Sequence, residues 1–387
     1  MKRSLIIIAS IATVIAATAQ TADDLWVMGY NYQYGEKGCV QNDTLAKKYY
    51  IMAAEKGSAE AMLSLYWSGY IDCEESKVYL QSAADMNYFL AYAELSKIYY
   101  DNRNMPCMDT NLAKSIQYAK IAAEGGDDEG QRIYGLFHIL GVGIPRNDSE
   151  GVRWLEASAE NDNETAMKDL SALYYNNKDY IKYAFWLKKA AEFGNAEAQL
   201  RYSNLIYDND LGIPKMENEA CKWAEMSARQ GYEPAYYHVA WYYATGHGGA
   251  KQDKEIAIQW CRDGIKKFNN LDCMWLLAET LPQNDVERII VLEQAANLGH
   301  KSALAELAKM NVDNKVPNAN KQWGLNMLES LSKEGNPRAM AYYGVLLYDG
   351  EKVKGNRKKG IALIDKAANA GDMMGALYKR FMEISSK

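Results

Sequence analysis

Aromatic and polar side chains recur at corresponding positions of this 387-residue chain, and their chemistry suits binding. Tyr and Trp present a large contact area with few torsions and a polar tip, which helps them to recognise a protein or peptide. They follow the small first residue of a repeated helix by two, six or nine positions, roughly 180° to 240° around the helix and away from its packing side. The candidate binding residues are Trp67, Tyr70, Tyr100, Arg132, Lys168, Tyr175, Asn204, Tyr207, Tyr237, Trp241, Trp275 and Tyr348.

We call these candidate residues the aromatic row, and two other interpretations of it remain open. In the first, many of the rings pack between adjacent helices instead of facing a partner. In the second, the row borders a groove for cationic peptides, because Asp101, Asp208 and Asp349 each directly follow one of its residues. Carboxylates at these places would complement positive charge on a peptide.

Catalytic and metal-binding patterns are missing from the sequence. The four His residues are scattered along the repeats, and there is no Gly-x-Ser-x-Gly elbow, no Ser-x-x-Lys with its partner motifs and no phosphate loop. Neither Cys-x-x-Cys nor His-x-x-x-His occurs, which argues against a metal site. We therefore predict a protein that is not an enzyme and has no catalytic residue, cofactor or metal. The alternative is a cell-envelope enzyme, or a protein that binds β-lactams or peptidoglycan.

The elements that position the candidate residues repeat along the chain. An Ala-Ala-Glu-x-Gly box recurs at intervals of about 30 to 39 residues, most clearly from Ala53, Ala122 and Ala190. One interval is about twice as long, with a degenerate copy of the box near Gly264. A period of this length in a helix-forming sequence indicates an α-solenoid.

Each repeat is predicted to be a helical hairpin. In the segment 126–161, Asp127 is the expected N-cap of a first helix, which the residues Gly141 to Pro145 end. Asp148 is the expected cap of a second helix, Glu150 to Glu160. Small residues recur five positions after the start of the first helices, where they would let helix axes approach closely. These residues are Ser96, Gly135, Ser171, Ser203, Ala240, Ala278, Ala308 and Gly344.

The hairpins resemble Sel-1-like repeats, relatives of tetratricopeptide repeats. The family pattern is Ala-x-x-x-Leu-Gly-x-x-Tyr-x-x-Gly followed by Lys-Ala-x-x-Trp-x-x-Lys-Ala-Ala-Glu-x-Gly, and the segments 131–143, 151–160 and 183–194 are similar to it. The resemblance covers nearly everything after residue 22. It implies an all-α fold, a right-handed α-solenoid of about ten stacked hairpins with a closing helix near 373–384. It also implies a scaffold that binds a protein or peptide partner on a concave surface lined by the aromatic row.

Some segments depart from the family pattern. Residues 72–75 form a very short loop, and the segment 264–270 has lost the Ala-Ala-Glu box. Cysteine-rich members of the family have been connected with β-lactam binding or hydrolysis. Their regular Cys pair across each turn is absent here, so the resemblance gives that activity little support.

The six cysteines leave several pairings open. Cys39, Cys73 and Cys107 are spaced 34 residues apart and are assigned to loops that stacking would bring near each other. A bridge between two of them requires the loops to lean together, because helix axes are about 8–10 Å apart and bridged Cα atoms lie under about 7 Å apart. Cys261 and Cys273 are a second possible pair, and Cys221 has no evident partner. Buried free thiols are the alternative in each case.

The N-terminus has the pattern of a signal peptide. Lys2 and Arg3 precede the apolar run 5–17, and Ala17 and Ala19 supply small residues for cleavage before Gln20. The apolar run is too short to span a bilayer, although an uncleaved anchor remains the alternative. We expect residues 1–19 to be removed and residues 20–387 to form one solenoid. The mature protein would be soluble and exported, to a periplasm or outside the cell, with no integral membrane insertion.

Charge argues against some partners. The net charge is −6, and it becomes −8 without Lys2 and Arg3, because 42 basic residues then oppose 50 acidic ones. Nucleic acids and anionic membranes are bound by dense basic surfaces. The expected partner is therefore a protein or peptide, and not a nucleic acid.

Overall fold

The computed structural model describes residues 21–208, 211–283 and 285–385. All regular secondary structure in these ranges is α-helical. The helices are α1 (Ala22–Tyr34), α2 (Asp43–Glu55), α3 (Ala59–Ser68), α4 (Cys73–Asp85), α5 (Phe89–Tyr100), α6 (Leu112–Glu124), α7 (Asp128–Leu140), α8 (Asp148–Glu160), α9 (Glu164–Asn176), α10 (Tyr180–Phe193), α11 (Ala196–Asp208), α12 (Glu217–Arg229), α13 (Glu233–Thr245), α14 (Lys254–Phe268), α15 (Leu271–Thr280), α16 (Val286–Asn297), α17 (Lys301–Val312), α18 (Lys321–Lys333), α19 (Pro337–Asp349), α20 (Arg357–Asn369) and α21 (Met373–Ser385).

These helices form ten consecutive hairpins followed by α21. Each odd-numbered helix from α1 to α19 is the first helix of a hairpin, and the next even-numbered helix is the second. The expected hairpin count and the closing helix are confirmed, and so is the all-α repeat fold.

The chain divides into two compact units. Unit 1 ends at Trp186 and unit 2 begins at Leu187, so the division falls within α10. A core cluster of unit 1 contains Leu25, Tyr50 and Leu63, and a core cluster of unit 2 contains Leu328 and Tyr342. Each unit therefore has a hydrophobic core of its own.

Local side-chain chemistry sets where the helices begin. The Asp127 carboxylate accepts a hydrogen bond from the Gly130 amide at 2.7 Å, as expected for the N-cap of α7. The cap of α8 is Asn147, one residue before the predicted Asp148, because the Asn147 side chain accepts from the Glu150 amide. Helix α8 accordingly starts two residues earlier than expected.

The small residues of the first helices lie where the two helices of a hairpin meet. A Cβ atom added to Gly344 would lie 3.0 Å from the carbonyl oxygen of Gly360 on α20. Two of the Ser residues join the helices through their hydroxyls: Ser96 donates to the Ser115 carbonyl at 2.8 Å, and Ser203 donates to the Ala220 carbonyl at 2.7 Å. All eight of these residues are buried, which confirms their predicted packing.

The two atypical segments differ from expectation. Residues 73–75 begin helix α4, because the Asp72 side chain caps it by accepting from the Glu75 amide. Around the degenerate box, Phe268 is the last residue of α14. Asn269 caps its end in the left-handed conformation, with φ 53°. Gly264 is buried and keeps the close approach of a normal repeat. Both segments therefore preserve the hairpin pattern.

Among the described residues, no helix combines the length and the apolar character needed to cross a bilayer. The predicted signal peptide, residues 1–19, lies outside the described part of the chain.

Candidate functional site

Unit 1 contains a cavity of about 630 Å³ between two first helices and a loop. Helices α5 and α7 form its walls, and the loop 101–111 forms part of its rim. We call it the unit 1 cavity. It is lined by Ser96, Lys97, Tyr100, Asp101, Arg103, Asn104, Arg132, Ile133, Leu136, Phe137, Leu140 and Val142.

The unit 1 cavity has an apolar floor and opens to solvent. Ile133 and Phe137 are buried at its base, whereas Tyr100 is 55% exposed and Leu140 is 64% exposed at its mouth. The rings of Tyr100 and Phe137 meet edge to face, with centroids 5.9 Å apart. This volume lies within the range of ligand pockets, which also combine apolar walls with a few polar groups.

Ion pairs surround the cavity. Lys97 contacts Glu94 at 2.7 Å, and Arg103 contacts Asp101 at 2.5 Å. Arg132 contacts Glu129 and Asp169, each at 2.9 Å.

The Asp101 carboxylate is already occupied by Arg103. Hydrogen bonds from the Arg103 side chain and backbone amide hold the pKa of Asp101 below its usual value. Of the three carboxylates proposed for a cationic groove, Asp101 is thus committed to an internal pair. Asp208 and Asp349 are exposed in unit 2.

The loop at the rim is anchored at several points. Its residues Met105 and Met108 are buried, and the Asn102 side-chain amide donates to the Met108 carbonyl at 2.7 Å. Cys107 forms a disulfide with Cys73 at the start of α4, with a Cα–Cα distance of 6.0 Å. Arg103 and Asn104 are therefore presented by a fixed segment.

The disulfide settles one of the open cysteine pairings. All three of the regularly spaced cysteines were expected in loops. Cys107 does lie in a loop, but Cys73 is the first residue of α4. Cys39, Cys221, Cys261 and Cys273 are free thiols. The last three of these are buried.

Two of the predicted binding residues, Tyr100 and Arg132, line the unit 1 cavity. Two others, Trp67 and Tyr175, are exposed in unit 1, at 54% and 50%. Tyr175 packs edge to face on Tyr180 and Tyr183.

The remaining polar members of the row in unit 1 contact their own or a neighbouring helix. The Tyr70 hydroxyl donates to Asp43 at 2.9 Å, which joins the region after α3 to α2. Lys168 pairs with Glu164 on α9 at 3.8 Å.

In unit 2 two members of the row form a ring pair. Tyr207 and Trp241 meet edge to face at 5.5 Å between ring centroids. Trp275 instead contacts His300 at 5.0 Å and lies under the Arg338 guanidinium, also at 5.0 Å.

The other members in unit 2 have separate contacts. Tyr237 lies against His238, and Arg357 covers the Tyr348 ring at 4.4 Å. Asn204 is half-buried on α11. Trp241 is also half-buried, because its ring stacks on His247 at 5.5 Å.

One position of the row lies two residues after the small residue that starts the pattern of each first helix. In many repeats the residue at this position is buried. Arg132, Lys168, Tyr237 and Trp275 occupy it and remain partly accessible. The equivalent residues of five other repeats are buried: Leu63, Ala93, Leu200, Ala305 and Ala341. The row of accessible side chains at this position is thus interrupted in these five repeats.

Unit 2 contains a smaller, polar cavity of about 180 Å³. Arg288 donates to Glu306 at 2.7 Å, and Arg338 donates to Asp372 and to Glu279, each at 2.8 Å. The Tyr342 hydroxyl also donates to Glu306, and burial raises the pKa of this tyrosine above its usual value. Because these groups satisfy each other, the network joins helices of unit 2 and leaves few free groups for a ligand. In the described residues, no cluster of three His, Cys, Asp or Glu side chains is arranged to hold a metal ion.

Sequence reasoning missed most of the unit 1 cavity. Its apolar floor comes from Ile133, Leu136 and Phe137, and its rim from Arg103 and Asn104. Two signals were present in the sequence. Leu140 directly precedes the glycine that ends α7, and the loop 101–111 is long for a hairpin connection.

The helices define a protein built of solenoid-like helical repeats, a fold that commonly acts as a scaffold for protein interactions. The model of the family described as "Sel1 repeat" matches six segments that make up more than half of the chain: residues 22–58, 90–127, 128–163, 196–232, 233–262 and 337–372. The chain belongs to the Sel1 repeat family.

Solved structures agree on the fold. A protective antigen of uropathogenic Escherichia coli that displays an SLR fold is 22% identical, with a TM-score of 0.63, and the similarity covers 94% of this chain and 80% of that chain. A Sel1 repeat protein from Oxalobacter formigenes is 20% identical, with a TM-score of 0.57, over 84% of this chain and 94% of that chain. At these identities the similarity is one of fold.

Proposed function

We propose that the protein is an exported repeat scaffold that binds a peptide segment of a protein partner in the unit 1 cavity. The observation that carries this proposal is the cavity itself, an apolar-floored opening between two first helices that includes Tyr100 and Arg132. Membership of a family of repeat scaffolds supports binding rather than catalysis. Export is supported by the sequence pattern of residues 1–19.

The shape of the cavity favours a side chain that projects from a peptide. Its mouth is bordered by the exposed Tyr100 and Leu140, so a group can enter from solvent and reach the buried Phe137. Full burial of one Leu- or Phe-sized side chain contributes about 1.5–3 kcal/mol. The disulfide-anchored loop reduces the ordering that binding would otherwise require.

The test is selection of a random library of short linear peptides, displayed on phage, against the immobilised protein. We expect enriched peptides with a large apolar residue, and we expect Tyr100→Ala and Leu140→Gln to weaken their binding roughly tenfold or more. The matched control is Tyr175→Ala, because Tyr175 is similarly exposed in unit 1 and lies outside the cavity. The proposal is wrong if no peptide is enriched, or if the two cavity variants bind the enriched peptides as well as the control does.

A further inference from the structure

We propose that the unit 1 cavity selects peptides in which an acidic side chain lies next to the apolar residue that enters it. This inference rests on the proposed function and specifies the chemistry of the partner. Two features of the rim support it. Its exposed charged groups are cations, and several of its hydrogen-bond donors have no partner in the ranges that the structure describes.

The accessible charge at the rim is positive. The Arg103 side chain is 87% exposed, whereas the side chain of its partner Asp101 is 38% exposed. Lys97 is 42% exposed, whereas its partner Glu94 is only 9% exposed. A ligand that approaches the mouth therefore meets the cations of both pairs before their carboxylates. Complementary charge across an interface favours the matching partner and suppresses the wrong one.

The same rim carries hydrogen-bond donors that are not used within the described part of the protein. Arg103 bonds Asp101 through Nε and Nη2, which leaves Nη1 free among the described residues. The Lys97 ammonium carries three donors and makes one bond, to Glu94 at 2.7 Å. The exposed Asn104 amide has no hydrogen-bond partner in the described part of the chain. These three side chains line one cavity, and a peptide carboxylate can accept from all three donor types.

A cationic peptide would find no equivalent site at this rim. Asp101 already accepts from the Arg103 side chain and backbone amide, and Glu94 is buried against Lys97. A Lys or Arg on the ligand would therefore approach two exposed cations without a free carboxylate to bind. This distinguishes the inference from the cationic-peptide groove considered for the sequence.

The experiment compares two phage-displayed pools of the same design. Both carry a fixed apolar residue, which is flanked by Asp or Glu in the acidic pool and by Lys or Arg in the basic pool. We expect the acidic pool to be recovered roughly tenfold more than the basic pool at about 50 mM sodium chloride, with the difference decreasing at about 500 mM.

A variant of the protein assigns the preference to the rim. Arg103→Gln should remove most of the difference between the pools, whereas Arg153→Gln should keep it. Arg153 is a suitable control because it is also an exposed arginine paired with a carboxylate, Glu150, and it lies outside the cavity. Unchanged thermal unfolding of both variants would show that the fold is intact.

The outcomes separate this inference from the proposed function. Equal recovery of the two pools, with binding that still depends on Tyr100, would overturn the acidic preference and leave peptide binding in place. A preference that survives Arg103→Gln would also overturn the inference. Recovery of neither pool, or recovery that Tyr100→Ala does not reduce, would overturn the proposed function itself.

Discussion

Gly135 on α7 and Gly151 on α8 face each other where the two helices of their hairpin meet. A Cβ atom added to Gly135 would lie 2.9 Å from the Gly151 carbonyl oxygen, and one added to Gly151 would lie 2.8 Å from the Gly135 carbonyl oxygen. The contact is therefore reciprocal, backbone against backbone. Neither helix can accept a side chain at this point without moving.

Gly135→Leu should destabilise the protein, because an extra side chain overpacks this contact at a cost of about 1–3 kcal/mol. The measurement is the midpoint of chemical denaturation. Ala172→Leu is the control, since Ala172 is exposed on α9 and gains a similar side chain without a clash. Equal midpoints for the two variants would mean that α7 and α8 do not meet as described.

Trp241→Ala should lower the thermal stability of unit 2 because the ring packs on Tyr207 and His247. Such aromatic pairs contribute about 0.5–1.5 kcal/mol each beyond the area that they bury. Trp67→Ala is the matched control, because Trp67 is 54% exposed. The measurement is the melting temperature of each variant, compared with that of the wild type. If Trp241→Ala melts like the wild type, its ring is not part of the packing of unit 2.

Loss of the Cys73–Cys107 disulfide should destabilise unit 1. The bridge closes 34 residues of chain, and a bridge of this kind typically stabilises a protein by about 2–4 kcal/mol. The double variant Cys73→Ser/Cys107→Ser should therefore have a lower denaturation midpoint under oxidising conditions. Cys39→Ser should match the wild type, because Cys39 is a free thiol. A double variant as stable as Cys39→Ser would contradict the assigned pairing.

Thiol reactivity should separate Cys39 from the other free cysteines. Burial raises the pKa of the Cys221 thiol to about 12. Hydrogen bonding to Cys261 and then burial raise the pKa of Cys273 above its usual value. Because the thiolate is the nucleophile, an alkylating reagent at about pH 8 should modify Cys39 alone in the folded protein. Peptide mass spectrometry before and after denaturation measures this, and rapid modification of Cys221 in the folded state would contradict its burial.

Export should remove the first 19 residues. We expect the intact mass of the exported protein to correspond to a chain that begins at Gln20, because Ala17 and Ala19 supply the small residues that signal peptidase prefers. Ala19→Leu should slow this cleavage, whereas Ser4→Ala, far from the cleavage site, should not. Recovery of the full-length wild-type chain in the membrane fraction would contradict the proposed soluble, exported state.

The sequence by itself determined the repeats, the hairpin count and the close-approach residues. These features are local: a helix begins where a residue such as Asp127 can cap it, and axes approach where a residue such as Gly344 has no side chain to separate them. Both depend on residues within a single hairpin. They could therefore be predicted from residue type and spacing, even where the box near Gly264 is degenerate.

Only the tertiary structure decided which residues of the aromatic row face solvent and where a cavity opens. Leu63 and Arg132 hold equivalent positions in their repeats, yet one is buried and the other lines the unit 1 cavity. The pairing of Cys73 with Cys107 likewise joins different repeats. The physical reason is that such contacts depend on how far neighbouring helices separate and where a loop such as 101–111 folds back. Those quantities arise from the packing of many side chains, which the spacing within one repeat does not encode.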